Sequence, residues 1–175
     1  MDIKERDGYF MVKCKDKKAV LAYKKLEKVA DDANMYVNFD KKDDRGYFVY
    51  NPGEYEVNEI FCMALGKKRK QAYLVDICGV SLLLIPEVVE LNEKDLEQLG
   101  SIDILIVGNG AVINSDLVKY VGRIDPQLLL LHKDSDKDEM AKTFGVEIEE
   151  LNKKLKVKAS EFDNEDYKMQ LLVIN

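Results

Sequence analysis

The chain has 175 residues, 46% apolar and 34% charged, a balance suited to one soluble globular domain that buries about 70% of its extended surface. A net charge of −6 argues against a nucleic-acid partner, which calls for a concentrated basic excess. No apolar run approaches the ~20 residues a membrane helix needs, and Met1-Asp2-Ile3-Lys4-Glu5-Arg6-Asp7 has no signal-peptide core, so the expectation is a cytoplasmic protein without membrane contact.

The first half reads as strands. Tyr9 to Val12 and Ala19 to Tyr23 flank the charged Lys15-Asp16-Lys17-Lys18, the pattern of a hairpin. Tyr47 to Tyr50 ends at Asn51-Pro52-Gly53, where proline fixes one dihedral and glycine permits positive φ. Tyr55 to Leu65 and Gln71 to Ile77 form the next hairpin, with a bulge predicted at Asn58-Glu59, where the alternation of apolar residues slips. Between them Lys67-Lys68-Arg69-Lys70 reads as a solvated hairpin turn after Gly66. Val80 to Ile85 is continuously apolar, as in a strand covered on both faces. Cys14, Cys62 and Cys78 are odd in number and widely spaced, and each falls in a strand-like segment. They are expected as reduced, buried apolar groups.

The second half alternates strand and helix. Asn92 is the expected N-cap of a helix, with Asp95 three residues on, Leu91 stapled to Leu96 and Gly100 as the stop. Ile102 to Val107 is a buried strand. Asn114 or Ser115 caps a short helix bearing Leu117, Val118 and Val121 and ended by Gly122. Leu128 to Leu131 is another strand. Ser135 caps a helix carrying Met140, Ala141 and Phe144 that stops at Gly145, and Lys154 to Val157 and Met169 to Ile174 are closing strands. Residues 1–175 therefore form a single α/β domain of layered sheets with helices outside.

This order of elements and several local segments resemble the metallo-β-lactamase fold. Asn51-Pro52-Gly53-Glu54-Tyr55-Glu56-Val57 is similar to the Pro-Gly-Glu-Tyr-Glu segment of a lactonase-like branch of those hydrolases. Leu91 to Gly100 followed by Ile102 to Val107 resembles the family's helix and strand after its Gly-Asp segment. Gly108-Asn109-Gly110-Ala111 stands where the family has a Pro-Val-Gly-Gly loop, and the resemblance runs from about Phe48 to Phe144. It implies a shortened αββα sandwich whose metal ligands follow the strands.

Those ligands are depleted here. The place of the family's His-x-His-x-Asp-His signature reads Asn38-Phe39-Asp40-Lys41-Lys42-Asp43, without a histidine and with Lys42 in place of the aspartate. Leu84-Ile85-Pro86-Glu87 replaces the His-x-Gly-Asp segment, leaving Glu87 as its one oxygen donor. His132, the only histidine, falls near the last ligand position. A catalytic zinc typically takes three protein ligands and one open position for water. Without such a set no water has its pKa brought near neutrality. The resemblance thus implies a degenerate frame without a cofactor, kept as a binding or assembly module for a protein partner, itself or another chain.

Other chemistry was weighed against it. Asp40, Asp43 and Glu87, with His132, constitute an alternative hydrolase site around magnesium or manganese, hard cations that take oxygen ligands. Gly108-Asn109-Gly110, after a strand and before a helix, suggests a small-ligand or nucleotide site, although Ile113 stands where a dinucleotide fingerprint needs its third glycine. Asp134-Ser135-Asp136-Lys137-Asp138-Glu139 begins like a calcium loop but lacks the turn glycine and the closing glutamate, which leaves helix capping. A Cys–His pair would need His132 as base and an activated thiol, and His132 itself reads as a plain polar residue at a strand end. Glu54 is expected to bond the turn amides and to carry no chemistry.

Overall fold

The computed structural model describes all residues except 27, 28, 30, 40–44, 69, 88, 111–114, 133, 134, 164–166 and 175. Turn chemistry sets the first sheet. Strands β1 (Asp2–Arg6), β2 (Tyr9–Cys14) and β3 (Lys17–Leu26) form an antiparallel meander. Its turns place Gly8 and Lys15 at positive φ. Strands β4 (Met35–Phe39) and β5 (Tyr47–Val49) then add in parallel to β3.

The second sheet begins as another antiparallel run: β6 (Gly53–Val57), β7 (Ile60–Lys67), β8 (Lys70–Ile77) and β9 (Val80–Glu87). Asn58 and Glu59 do not form the predicted bulge. Both take φ near +50° and make a two-residue turn, so Val57 pairs directly with Ile60. Lys67 pairs with Lys70 across the expected basic turn.

The chain then changes to parallel strands. These are β10 (Ile104–Gly110), β11 (Leu128–His132), β12 (Ile148–Leu151) and β14 (Gln170–Ile174), while the short β13 (Leu155–Lys156) returns to pair with β1. The resulting orders are β13-β1-β2-β3-β4-β5 and β12-β14-β11-β10-β9-β8-β7-β6.

Helices α1 (Glu93–Leu99), α2 (Ser115–Ile124) and α3 (Lys137–Phe144) lie beside the second sheet. The Asn92 carboxamide accepts from the Lys94 and Asp95 amides while Asp95 accepts from the Asn92 amide, the predicted reciprocal cap. Asp136, rather than Ser135, caps α3 by accepting from the Glu139 amide, and Gly145 closes it in the left-handed region. Gly122 lies inside α2, whose buried side is Leu117, Tyr120 and Val121; Val118 faces solvent.

Alternation of side chains builds the layers. One parity of the second sheet (Cys62, Val75, Leu82, Ile106, Leu130) meets Phe10, Val12, Leu21 and Val37 of the first, forming the core between the sheets. The other parity (Leu74, Leu83, Leu105, Leu129) packs under Leu96, Leu99, Tyr120, Val121 and Met140 of the helices. Two buried faces explain the continuous apolar runs. On the outer face of the first sheet, Tyr36 and Phe48 stack at 4.5 Å beneath a cluster that includes Val29 and Ala33. Among the described residues no helix covers that face, so the expected fourth layer of an αββα sandwich is filled there by loop residues.

Cys14 and Cys78 correct the expectation of reduced thiols. They form a disulfide between β2 and the β8–β9 turn, linking the two sheets. Their Cα atoms lie 6.5 Å apart, a spacing that only the three-dimensional crossing of these elements creates. Cys62 stays a buried free thiol, as expected.

Candidate functional site at the strand ends

Tyr23 organises the end of the sandwich where β3, β10 and β11 meet. Its ring stacks on the His132 imidazole at 4.6 Å between centroids and 8° between planes. Its hydroxyl donates toward Glu5 Oε1 at 3.0 Å and the Arg6 carbonyl at 3.2 Å, and accepts from the Gly8 amide at 3.1 Å. One tyrosine thereby ties the β1–β2 turn of the first sheet to the last residue of β11 in the second. Gly108 permits this approach: a Cβ there would stand 2.5 Å from the Pro86 carbonyl oxygen and 2.6 Å from the Tyr23 carbonyl oxygen.

His132 is 1% exposed, a packed ring rather than the plain polar strand-end residue expected. Asn38 lies at the end of β4 with φ 65°, and its side-chain amide donates to the Ala22 carbonyl at 2.8 Å, beside Tyr23. The β3–β4 register slips at this point, from Leu21 opposite Val37 to Leu26 opposite Phe39, and the Asn38 amide satisfies a carbonyl of the slipped segment. Glu87 ends β9, half-buried and opposite Gly110. Asp40, Lys42 and Asp43 lie outside the described residues.

Gly108, Asn109 and Gly110 do not form a strand-to-helix loop. They continue β10, with Gly110 still paired to Glu87, and α2 starts only at Ser115. The β9–β10 register shifts between Val107 and Gly110, and residues 111–114 lie outside the described set. The proposed Cys–His pair also fails, because Cys14 and Cys78 are joined and burial pushes the Cys62 thiol far up. In the Pro-Gly-Glu-Tyr-Glu segment it is Tyr55, not Glu54, that secures the turn, donating its hydroxyl to the Asn51 carbonyl at 2.9 Å.

Asn38 has committed its amide to Ala22, His132 lies face to face with Tyr23, and among the described residues no group of three His, Cys, Asp or Glu side chains gathers to hold an ion. Tyr23, the centre of this cluster, carries no sequence signal. It alternates like any inward strand residue, and its partner lies in the other half of the chain.

No protein-family profile matches the chain, and no curated protein does. The architecture, two facing sheets with helices on one outer face, is that of a mixed α/β sandwich. Its fold is shared with the crystal structure of a Thermotoga maritima protein, provisionally described as a zinc-dependent hydrolase of the metallo-β-lactamase superfamily. The two superpose with a TM-score of 0.73 over 99% of each chain, at 14% sequence identity. Among the described residues no helix is long and apolar enough to cross a membrane.

Proposed function

We propose that this chain is a degenerate member of the lactonase-like metallo-β-lactamase branch that has given up metal-dependent hydrolysis and acts as a binding or assembly module. The observation that carries the reading is the structural use of His132. A zinc-binding imidazole turns a ring nitrogen toward the ion and has its other nitrogen oriented by a neighbour, with an open position left for water. Here the ring is sealed between the sheets and stacked on Tyr23, and the neighbouring ligand position, Asn38, braces a strand backbone. Both groups serve packing.

The expected cytoplasmic location is not carried into this proposal, because Cys14–Cys78 is paired and a reducing compartment keeps such a pair as thiols. Elemental analysis of purified protein, with phosphodiester and lactone substrates assayed alongside, tests the reading. The expected result is no stoichiometric metal, no hydrolysis, and a folded His132→Phe variant that keeps the aromatic stack. A bound metal lost together with hydrolysis in Asp43→Ala would overturn it in favour of a carboxylate site for magnesium or manganese.

A further inference from the structure

Both sheets stop along one side of the sandwich. β13 ends the first and β12 ends the second, and a cavity of about 1560 Å³ opens between them. It lies away from Tyr23 and His132: Gln127 and Leu128, at the start of β11, line it, whereas His132 ends that strand. β12 gives one edge to β14, and its other edge has no strand partner among the described residues. A free edge presents main-chain N–H and C=O groups at ladder spacing, which an extended segment can complete.

Side-chain alternation fixes what such a segment meets. Ile148 packs on the helix side and Leu151 on the core between the sheets, so Glu149 shares the Leu151 face and points with it toward the cavity. The lining is acidic: exposed Glu147, Glu149, Glu150 and Glu161 stand against Lys156 and Lys168. Glu150 is engaged by Lys137, and the other three carboxylates outnumber the two lysines around the groove. Edge pairing with a second copy of β12 would bring Glu149 and Glu150 against their own kind, and like charges directly opposite are destabilising.

We propose that the groove between β12 and β13 receives an extended segment of a partner protein, bearing lysine or arginine at alternate positions, as an added strand on β12. The apolar floor, Leu151 with Phe162, holds the intervening side chains, and the glutamates select for basic ones. This proposal stands apart from the loss of metal chemistry, since a hydrolase with the same edge would bind the same segment.

Titration of the whole chain with a capped, labelled peptide alternating lysine and valine tests it, followed by fluorescence anisotropy. Binding is expected to weaken as salt rises, to fall roughly tenfold or more in Glu147→Lys/Glu149→Lys, and to vanish for a peptide N-methylated at alternate residues, which lacks the ladder donors. Glu149→Gln, a milder change on an exposed side chain, should give an intermediate loss with an unchanged melting temperature. Equal binding of a glutamate–valine peptide, indifference to N-methylation, no binding at millimolar peptide, or a sedimenting dimer that the charge-reversed variant abolishes would each overturn the proposal.

Discussion

Reducing Cys14–Cys78 removes a constraint on a loop of 64 residues' separation, and the chain-entropy relation assigns that constraint about 4 kcal/mol at room temperature. For a domain of 175 residues, with an unfolding entropy of about 0.4 kcal/mol/K, this corresponds to a melting temperature lower by about 10 °C. Both sulfurs belong to half-buried residues, so a small dithiol reaches them without unfolding the core. Scanning calorimetry with and without reductant reads the shift directly, and Cys14→Ser/Cys78→Ser should melt where the reduced protein does. Alkylation before and after reduction, counted by mass, should report one thiol and then three. A native protein with three alkylatable thiols once denatured, or a melting temperature indifferent to reductant, would refute the reasoning.

Gly108→Ala forces a Cβ against two backbone oxygens that cannot swing aside, those of Pro86 and Tyr23. A loss of about 3 kcal/mol in urea unfolding is expected, the upper end of what overpacking usually exacts. Gln71 is 2% exposed on the inner face of β8, and neither its Oε1 nor its Nε2 has a hydrogen-bond partner among the described residues. Gln71→Leu should therefore gain about 1 kcal/mol, and a loss instead would reveal that the amide is satisfied by ordered water. Burial raises the Asp103 pKa above its ordinary value, outweighing the Ser81 amide bond that lowers it. The folded state then holds the proton more tightly, so this group's destabilising contribution is fully present above its folded pKa and fades as pH falls toward 3.8. Asp103→Asn, whose carbonyl still accepts from Ser81, should be more stable than the parent at neutral pH, with the gap closing in acid; a constant gap in pH-resolved melts would contradict this.

Local chemistry made much of the frame legible. The Asn92 cap, the stop at Gly145 and the basic turn after Gly66 each depend on residues within a few positions, and the structure places them where the pattern did. The errors have the same local origin. Asn58-Glu59 looked like a bulge because the alternation slips there, but two residues with left-handed φ close a tight turn and restore the register. Asp136 took the cap of α3 from Ser135 because its carboxylate reaches the Glu139 amide at 3.1 Å. Gly108-Asn109-Gly110 looked like a loop because glycines usually punctuate; here Gly108 stays in the strand to let Tyr23 come close.

What the sequence hid at the strand ends is pairing between distant segments. Cys14 meets Cys78 where β2 approaches the β8–β9 turn, and Tyr23 meets His132 where β3 crosses the end of β11. Register places these two ties at opposite ends of the sandwich: Cys14 lies opposite Lys17 at one end of the β2–β3 hairpin, and Tyr9 opposite Ala22, next to Tyr23, at the other. One end is thus closed by a covalent bond and the other by an aromatic stack, which adds only about 1 kcal/mol beyond its buried area. The weaker closure sits where β4, β9, β10 and β11 deliver their following loops, the end at which this architecture has room for function. His132, the one histidine of the chain, thereby serves at that end as a tie between the two sheets.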